Sequence, residues 1–146
     1  MRSKIDRDRC SESRVRVRYK ETDQMGIAHH ANYFPWFEIG RTDLCRAVGY
    51  SYREIEASGM LLVVTEVGCR YRAPFRYDDE VRIRTGVDVA SPRAMRFIYE
   101  LLNEKGDLCA SGFSSHIWVD GATRKPIAVR GEMLEAFSTL LTDYDR

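Results

Sequence analysis

The residues best suited to chemistry lie together between positions 18 and 33, where Asp23, Gly26 and the pair His29 and His30 precede a helical pattern. The start of a helix carries unpaired backbone N–H groups and a partial positive charge, so it can stabilise an oxyanion. A carboxylate beside such a place can act as a general base or as a nucleophile. The spacing alone also allows a structural interpretation, in which Asp23 caps a turn and His30 packs beside the helix.

The elements that must position these residues are one long helix and several strands. Residues 32–48 carry an apolar stripe at helical spacing, with Asn32 as a candidate N-cap and Gly49 as a stop signal. Gly40 lies on this stripe, which indicates that another backbone packs closely there. Alternation of apolar and polar residues predicts the strands, and two shorter helical patterns complete the set. The strands cover residues 14–19, 61–71, 81–89, 95–101 and 108–119, and the shorter helices cover residues 52–57 and 132–141.

This order of elements predicts an α+β fold. Consecutive strands joined by short turns imply an antiparallel sheet. The long helix has a wide apolar stripe that must be covered, and a curved sheet of about five strands wrapped around the helix would cover it. Residues 1–13 are polar and without period, so we expect a flexible N-terminal arm. Residues 14–146 are then expected to form a single domain.

Composition excludes several other classes of protein. The 146 residues are 44% hydrophobic and 31% charged, and the net charge of +1 gives no support to a nucleic-acid partner or a membrane surface. No apolar run approaches the roughly 18–20 residues of a membrane span, and the polar start does not resemble a signal peptide. We therefore expect a cytoplasmic protein with no nucleic-acid partner and no membrane insertion.

Metal binding is not indicated either. The four cysteines form no CxxC pair. The side chains of His29 and His30 diverge because the residues are adjacent, and only His116 remains as a further histidine. Cys45 lies in the middle of the predicted helix without a polarising partner, so we interpret it as a core residue rather than a nucleophile.

Two motifs resemble the 4-hydroxybenzoyl-coenzyme A thioesterase family. The first consists of Thr22-Asp23, Gly26, His30-Ala31-Asn32-Tyr33 and the helical stretch from Glu38 to Arg41. The second is Tyr71-Arg72-Ala73-Pro74-Phe75-Arg76-Tyr77-Asp78-Asp79. The resemblance spans about residues 14–137, and the group it points to includes the thioesterase associated with the Tol–Pal system. It implies a hotdog fold, in which an antiparallel sheet surrounds one long helix and two subunits pair their sheets edge to edge, with active sites at that interface.

The resemblance also implies roles for single residues. Asp23 would attack the thioester carbonyl or activate a water that does, and the sequence leaves both routes open. The backbone N–H at position 30 would bind the thioester oxygen, while the His30 side chain would orient the substrate or shuttle a proton. Tyr19 would assist catalysis, and Gly26, Ile27 and Tyr33 would border the substrate.

Coenzyme A carries a 3′-phosphate and a diphosphate, so basic side chains should line its path. Arg72 and Arg93 are the main candidates, and their alternative interpretation is that of solvated surface charges. Ser114 interrupts the last strand and is a candidate for contact with the pantetheine arm. No cofactor is expected, because coenzyme A is part of the substrate.

The favoured function is therefore a thioesterase acting on a small acyl-coenzyme A, assembled as a homodimer or as a tetramer made of two dimers. Two alternatives are a thioesterase acting on acyl carrier protein and a hotdog protein that binds acyl-coenzyme A without turnover. A hotdog dehydratase is disfavoured, because such enzymes pair a His and an acid in a different local pattern.

Overall fold

The computed structural model describes residues 2–144, and within them the architecture is one five-stranded antiparallel sheet with three helices. The strands are β1 (Ser11–Arg16), β2 (Met60–Tyr71), β3 (Glu80–Ala90), β4 (Ala94–Leu102) and β5 (Leu108–Asp120). The helices are α1 (Tyr33–Val48), α2 (Tyr52–Ala57) and α3 (Glu132–Ser138). The predicted α+β class, with five antiparallel strands and one long helix, is confirmed.

The strand order in the sheet is β1-β3-β4-β5-β2. The hairpins β3–β4 and β4–β5 follow the chain, but β2 pairs with β5 and β1 pairs with β3. The connection over residues 72–79 therefore carries the chain from one edge of the sheet to β3. As a result, β1 and β2 are the two edge strands.

Helix α1 packs against one face of the sheet, where its apolar stripe is buried. Phe37 stacks on Tyr99 of β4 with ring centroids 4.4 Å apart. Gly40 permits a close approach to β3, because a methyl group there would lie 2.8 Å from Ile83 Cγ2 and would collide with Thr85 Oγ1. The neighbours of Gly40 are therefore side chains, whereas the sequence pattern indicated another backbone.

The ends of α1 agree only in part with the expected capping. Gly49 ends the helix in the left-handed conformation at a φ of 99°, as predicted. Asn32 occupies the predicted N-cap position, but its side chain makes no capping bond. A 3₁₀ turn over His30–Asn32 already precedes the helix, and Asn32 Nδ2 instead donates to the carbonyl of Glu21 at 2.8 Å.

The N-terminal segment lies against the sheet face opposite α1. Ile5 is buried, and the backbone N–H groups of Lys4 and Ile5 donate to the carboxylate of Glu100, which is itself fully buried. Strand β1 begins at Ser11, three residues before the predicted start. Residues 4, 5 and 11–13 thus pack with the domain, whereas the sequence pattern predicted a flexible arm over residues 1–13. The buried carboxylate of Glu100 explains the difference, because it needs hydrogen-bond donors that the arm supplies.

In the described part of the chain, α1 is the longest helix, and no helix has the length and apolar character needed to span a membrane.

Candidate active site

The loop before α1 is a tight turn closed by backbone hydrogen bonds. Thr22 and Ala28 form an antiparallel bridge, and the N–H of Asp23 donates to the carbonyl of Ile27 at 2.9 Å. The N–H of Gly26 returns to the carbonyl of Asp23 at 3.0 Å. Gly26 has a φ of 78°, a conformation that glycine adopts at little cost. The loop therefore holds Asp23 and Ile27 side by side.

The Asp23 carboxylate is oriented by its own turn. Oδ1 accepts a hydrogen bond from the Met25 N–H at 2.9 Å. No residue in the described part of the chain donates to Oδ2, and the side chain is partly accessible to solvent. The carboxylate thus has one oxygen fixed by the backbone and one oxygen available to a ligand or a water molecule.

Glu21 connects this loop to α1. Its buried carboxylate accepts hydrogen bonds from the Arg18 N–H at 2.8 Å and from Trp36 Nε1 at 3.2 Å. Its carbonyl accepts from the His29 N–H at 2.7 Å, in addition to Asn32. Burial alone would raise the pKa of Glu21, but the hydrogen bonds and charge of Arg18, together with the Trp36 N–H, hold that pKa below its ordinary value.

Tyr71, the last residue of β2, contacts the 3₁₀ turn that precedes α1. Its hydroxyl donates to the carbonyl of His30 at 2.8 Å, and its ring packs edge-on against Tyr33 at 4.8 Å. Burial raises the pKa of Tyr33 to about 12 and also raises the pKa of Tyr71, so both phenols are protonated at neutral pH. The first N–H groups of a helix lack acceptors within the helix, so the backbone around His30 can bind an anionic oxygen.

These residues surround a cleft of about 310 Å³. Its lining includes Asp23, Ile27, His30, Tyr33, Tyr71 and Arg72. Five residues named from the sequence therefore border one cleft, and Gly26 lies in the turn beside it. A carboxylate and a helix start that face the same space can provide a base or nucleophile together with an oxyanion donor.

Three other residues named from the sequence lie outside the lining of this cleft. Tyr19 is 79% exposed and packs edge-on against Tyr77 at 5.5 Å. Arg93 precedes β4, whose first residue Ala94 pairs with Ile117. Tyr71 pairs with Ala110 on the same strand β5, seven residues before Ile117. Arg93 therefore lies roughly 23 Å from Tyr71 along the sheet.

Ser114 is buried beneath α1 in a polar network that the sequence did not reveal. Its Oγ lies 2.5 Å from the Tyr99 hydroxyl and 2.8 Å from His116 Nε2, and it accepts from Arg41 Nη1 at 3.4 Å. Arg41 also donates to the hydroxyls of Tyr99 and Tyr52. Burial and the Arg41 charge lower the pKa of His116 to about 3, so its imidazole is neutral at physiological pH.

Sequence reasoning missed Glu21, Tyr71 and Arg41 as organising residues. Tyr71 and Arg41 were quoted within the two motifs, but neither was given a role. The alternation of β2 could have placed Tyr71 on the helix-facing side, because residues two apart share a face. Nothing in a single sequence reveals that Glu21 turns inward, since its neighbours in the loop show no periodicity.

Comparison with known proteins establishes the family. The sequence profile of the thioesterase-like superfamily matches residues 17–137. The chain belongs to the thioesterase-like superfamily. Its relatives within the superfamily include YneP of Bacillus subtilis, 36% identical over 136 residues, which cover 93% of this chain and 96% of YneP. The acyl-CoA thioester hydrolase YbgC of Escherichia coli is 28% identical over 84% of this chain and 92% of YbgC.

Solved structures of related proteins share the fold of this superfamily member. A DHNA-CoA thioesterase from Staphylococcus aureus superimposes with a TM-score of 0.85 at 34% identity, covering 90% of each chain. A hypothetical protein from Thermus thermophilus gives a TM-score of 0.84 at 37% identity, over 89% of this chain and 98% of the other. The predictions of a hotdog thioesterase fold and of a thioester-hydrolysing enzyme are confirmed.

Proposed function

We propose that the protein hydrolyses a small acyl-coenzyme A thioester to the free acid and coenzyme A. The observation that carries this proposal is the shared cleft, which is bordered both by Asp23 and by His30, the first residue of the 3₁₀ turn that leads into α1. Thioester hydrolysis needs a group that attacks or activates water and a donor that stabilises the carbonyl oxygen as it becomes negative. Both requirements are met by residues seven positions apart in the chain.

Two chemical routes use these groups. In the first, an Asp23 oxygen attacks the thioester carbon, the C–S bond breaks, the thiolate leaves, and water then hydrolyses the mixed anhydride. In the second, Asp23 accepts a proton from a water molecule that attacks the same carbon directly. In both routes the N–H at His30 binds the carbonyl oxygen, and one such donor contributes roughly 10²–10³-fold to turnover in other enzymes.

The remaining residues take supporting roles in this proposal. The His30 side chain, which borders the cleft, orients the acyl group or shuttles a proton to the leaving thiolate. Gly26, Ile27 and Tyr33 shape the space in front of Asp23, and Arg72 lies at its edge. For Tyr19 and Ser114, which lie outside the cleft lining, the roles named from the sequence stay predictions.

Relatives support coenzyme A as the carrier of the acyl group. YbgC is named an acyl-CoA thioester hydrolase, and the Staphylococcus aureus structure is that of a DHNA-CoA thioesterase. The narrower assignment to the 4-hydroxybenzoyl-coenzyme A group, the link to the Tol–Pal-associated enzyme and the cytoplasmic location stay predictions. A panel of short, long and aromatic acyl thioesters, each on coenzyme A and on acyl carrier protein, would distinguish the favoured substrate from its alternatives.

We also propose that two chains pair through β2. This edge strand exposes Val63, Val64, Val67 and Tyr71 by 40–47% each, and an open apolar edge favours pairing with another strand. In one chain, the β3–β4 turn lies near the start of β2, and Asp23 lies near the end of β2. Two β2 strands that pair antiparallel would place the start of one beside the end of the other. The β3–β4 turn of the partner would then lie toward Asp23 of the first chain. A role for Arg93 in substrate binding depends on this assembly. Size-exclusion chromatography with light scattering would show a monomer if the proposal is wrong.

The test of the proposed activity is Asp23→Asn, which keeps the shape of the side chain but removes the base. Free thiol release from an acyl-coenzyme A should fall by roughly 10²–10⁴-fold, as for the loss of other general bases or nucleophiles. Product binding should persist, because the amide still fits the cleft. Asp8→Asn is the matched control, since Asp8 is exposed in the N-terminal segment and does not border the cleft.

Near wild-type turnover in Asp23→Asn would overturn the mechanism, while absence of hydrolysis by the wild-type enzyme across the panel would overturn the function.

Single-turnover hydrolysis in ¹⁸O-labelled water, followed by mass spectrometry, separates the two routes. An acyl adduct or ¹⁸O found on Asp23 supports direct attack. With no adduct trapped, label in the released acid alone supports a water molecule activated by Asp23.

A further inference from the structure

A second cleft, the outer cleft, lies on the sheet face opposite α1 and has a volume of about 410 Å³. It is bordered by Lys4, Arg70, Arg72, Ser111 and Tyr144 among others. Its size lies within the range of small-molecule sites, roughly 300–1,000 Å³. Arg72 borders both this cleft and the Asp23 cleft, so the two spaces meet at the end of β2.

The strand register places the outer cleft on the outer face of the sheet. Directly paired residues of an antiparallel ladder share a face, and Arg70 pairs with Ser111 while Tyr71 pairs with Ala110. Tyr71 packs against Tyr33 of α1, so Arg70 points to the other side. A ligand that reaches both clefts must therefore pass around the end of β2 beside Arg72.

On the outer face, the residue that pairs directly with Arg70 is the uncharged Ser111. This row of paired residues runs across all five strands through the pairs Glu12 with Arg84, Arg84 with Glu100, Glu100 with Ser111, and Ser111 with Arg70. Glu12 neutralises Arg84 at 3.2 Å, and Glu100 is occupied by backbone N–H groups of the N-terminal segment. Within the described residues Arg70 forms no ion pair, and the same is true of Lys4 and Arg72.

The N-terminal segment positions Lys4 beside the outer cleft. The Lys4 N–H donates to Glu100 Oε2 at 2.9 Å, and the next residue, Ile5, is only 4% exposed. From the other end of the chain, the Tyr144 hydroxyl donates to the same carboxylate at 3.5 Å, which brings an aromatic ring to the cleft. The backbone of Lys4 is thus held in place, and Lys4 borders the cleft.

We propose that the outer cleft binds the phosphorylated nucleotide end of the coenzyme A leaving group through Lys4, Arg70 and Arg72. This inference rests on the proposed function, because it assigns a position to the carrier of the acyl group. Three cations that form no ion pair among residues 2–144 suit the 3′-phosphate and the diphosphate, which form charge-assisted hydrogen bonds. The Tyr144 ring offers a flat surface on which a purine base can stack. Arg72 then contacts the ligand where it passes from one cleft to the other.

The experiment compares one acyl group carried by coenzyme A, by 3′-dephospho-coenzyme A and by pantetheine. The variant Lys4→Ala/Arg70→Ala should raise KM about tenfold for the coenzyme A thioester, which corresponds to about 1.4 kcal/mol, and leave kcat unchanged. The increase should be smaller for the dephospho substrate and absent for the pantetheine thioester. Arg53→Ala is the matched control, because Arg53 is an exposed arginine of α2 outside this cleft. Direct binding of coenzyme A to Asp23→Asn, with and without the double substitution, gives a readout that does not depend on turnover.

Three results would overturn the inference. The first is an unchanged KM and coenzyme A affinity in the double variant, and the second is an equal loss with the pantetheine thioester. The third is a KM increase in Arg93→Ala, but not in the double variant, that is larger for the coenzyme A thioester than for the pantetheine thioester. That result would assign the phosphates to the β3–β4 turn. In all three cases wild-type hydrolysis persists, so failure of this inference differs from failure of the proposed function. Thermal denaturation of each variant checks that the fold is intact.

Discussion

Glu21→Gln perturbs the residue that ties the Asp23 loop to α1 while keeping the volume of the side chain. The substitution replaces one carboxylate oxygen with an NH₂ group, so either Trp36 Nε1 or the Arg18 N–H loses its acceptor. Leaving one buried donor without a partner costs about 1–3 kcal/mol. The ion pair with Arg18 adds little, because the Arg18 side chain is 65% exposed. We therefore expect a loss of about 2 kcal/mol in unfolding free energy.

For a chain of this length, that loss corresponds to a fall in Tm of about 7 °C at neutral pH. The assay is thermal unfolding followed by circular dichroism, with kcat/KM measured on the same samples. Glu135→Gln is the matched control, since Glu135 is exposed on α3 and should leave Tm unchanged. A Tm within 1 °C of wild type for Glu21→Gln would refute the assignment of Glu21 as the organising residue.

The pH dependence provides a second check on Glu21. Because the pKa of Glu21 is lowered in the folded state, its stabilising contribution is fully present above the ordinary value of 4.5 and is lost as the pH falls through the folded pKa. The difference in Tm between wild type and Glu21→Gln should therefore shrink as the pH falls below about 4.5. A difference that grows with acidification would contradict this sign.

Two further substitutions or treatments examine the packing around α1. Gly40→Ala should lower the free energy of unfolding by about 1–2 kcal/mol, measured by thermal unfolding. The steric clash of the new methyl group with Ile83 and Thr85 outweighs the better helix propensity of alanine. A raised Tm would contradict this expectation. Cys45 is fully buried, and burial raises its pKa to about 12, so iodoacetamide at pH 8 should label it only after unfolding in urea. Rapid labelling of Cys45 in the folded protein, detected by peptide mass spectrometry, would show that α1 opens.

Local sequence signals predicted the elements well because each element carries its own period. The stripe through Tyr33, Phe37, Gly40 and Leu44 defined α1, and Gly49 ended it as expected. The alternation in β3, β4 and β5 gave strand bounds within a few residues of those observed. Such a periodic pattern shows that one face of the element is buried, whichever other helix or strand packs against that face.

Pairing between distant strands could not be predicted in the same way. Nothing local shows that β2 joins β5 or that β1 joins β3, because any strand with one apolar face can pair with several others. In the candidate site too, residues close together in the sequence could be predicted, whereas contacts made by strand pairing could not. The contiguous loop from Asp23 to Tyr33 was visible in the sequence, whereas Tyr71 reaches His30 only through the folded sheet. Arg93 was placed with the site on chemical grounds alone, and within one chain it lies far along the sheet.

The buried carboxylate of Glu100 has a consequence for the ends of the chain. It accepts hydrogen bonds from Ser3, Lys4 and Ile5 near the N-terminus and from Tyr144 near the C-terminus. Residues 3 and 144 therefore lie within reach of a single side chain, although almost the whole sequence separates them. A short peptide linker can span that gap, so the chain is suited to circular permutation, with new ends opened at the exposed β4–β5 turn around Glu104 and Lys105.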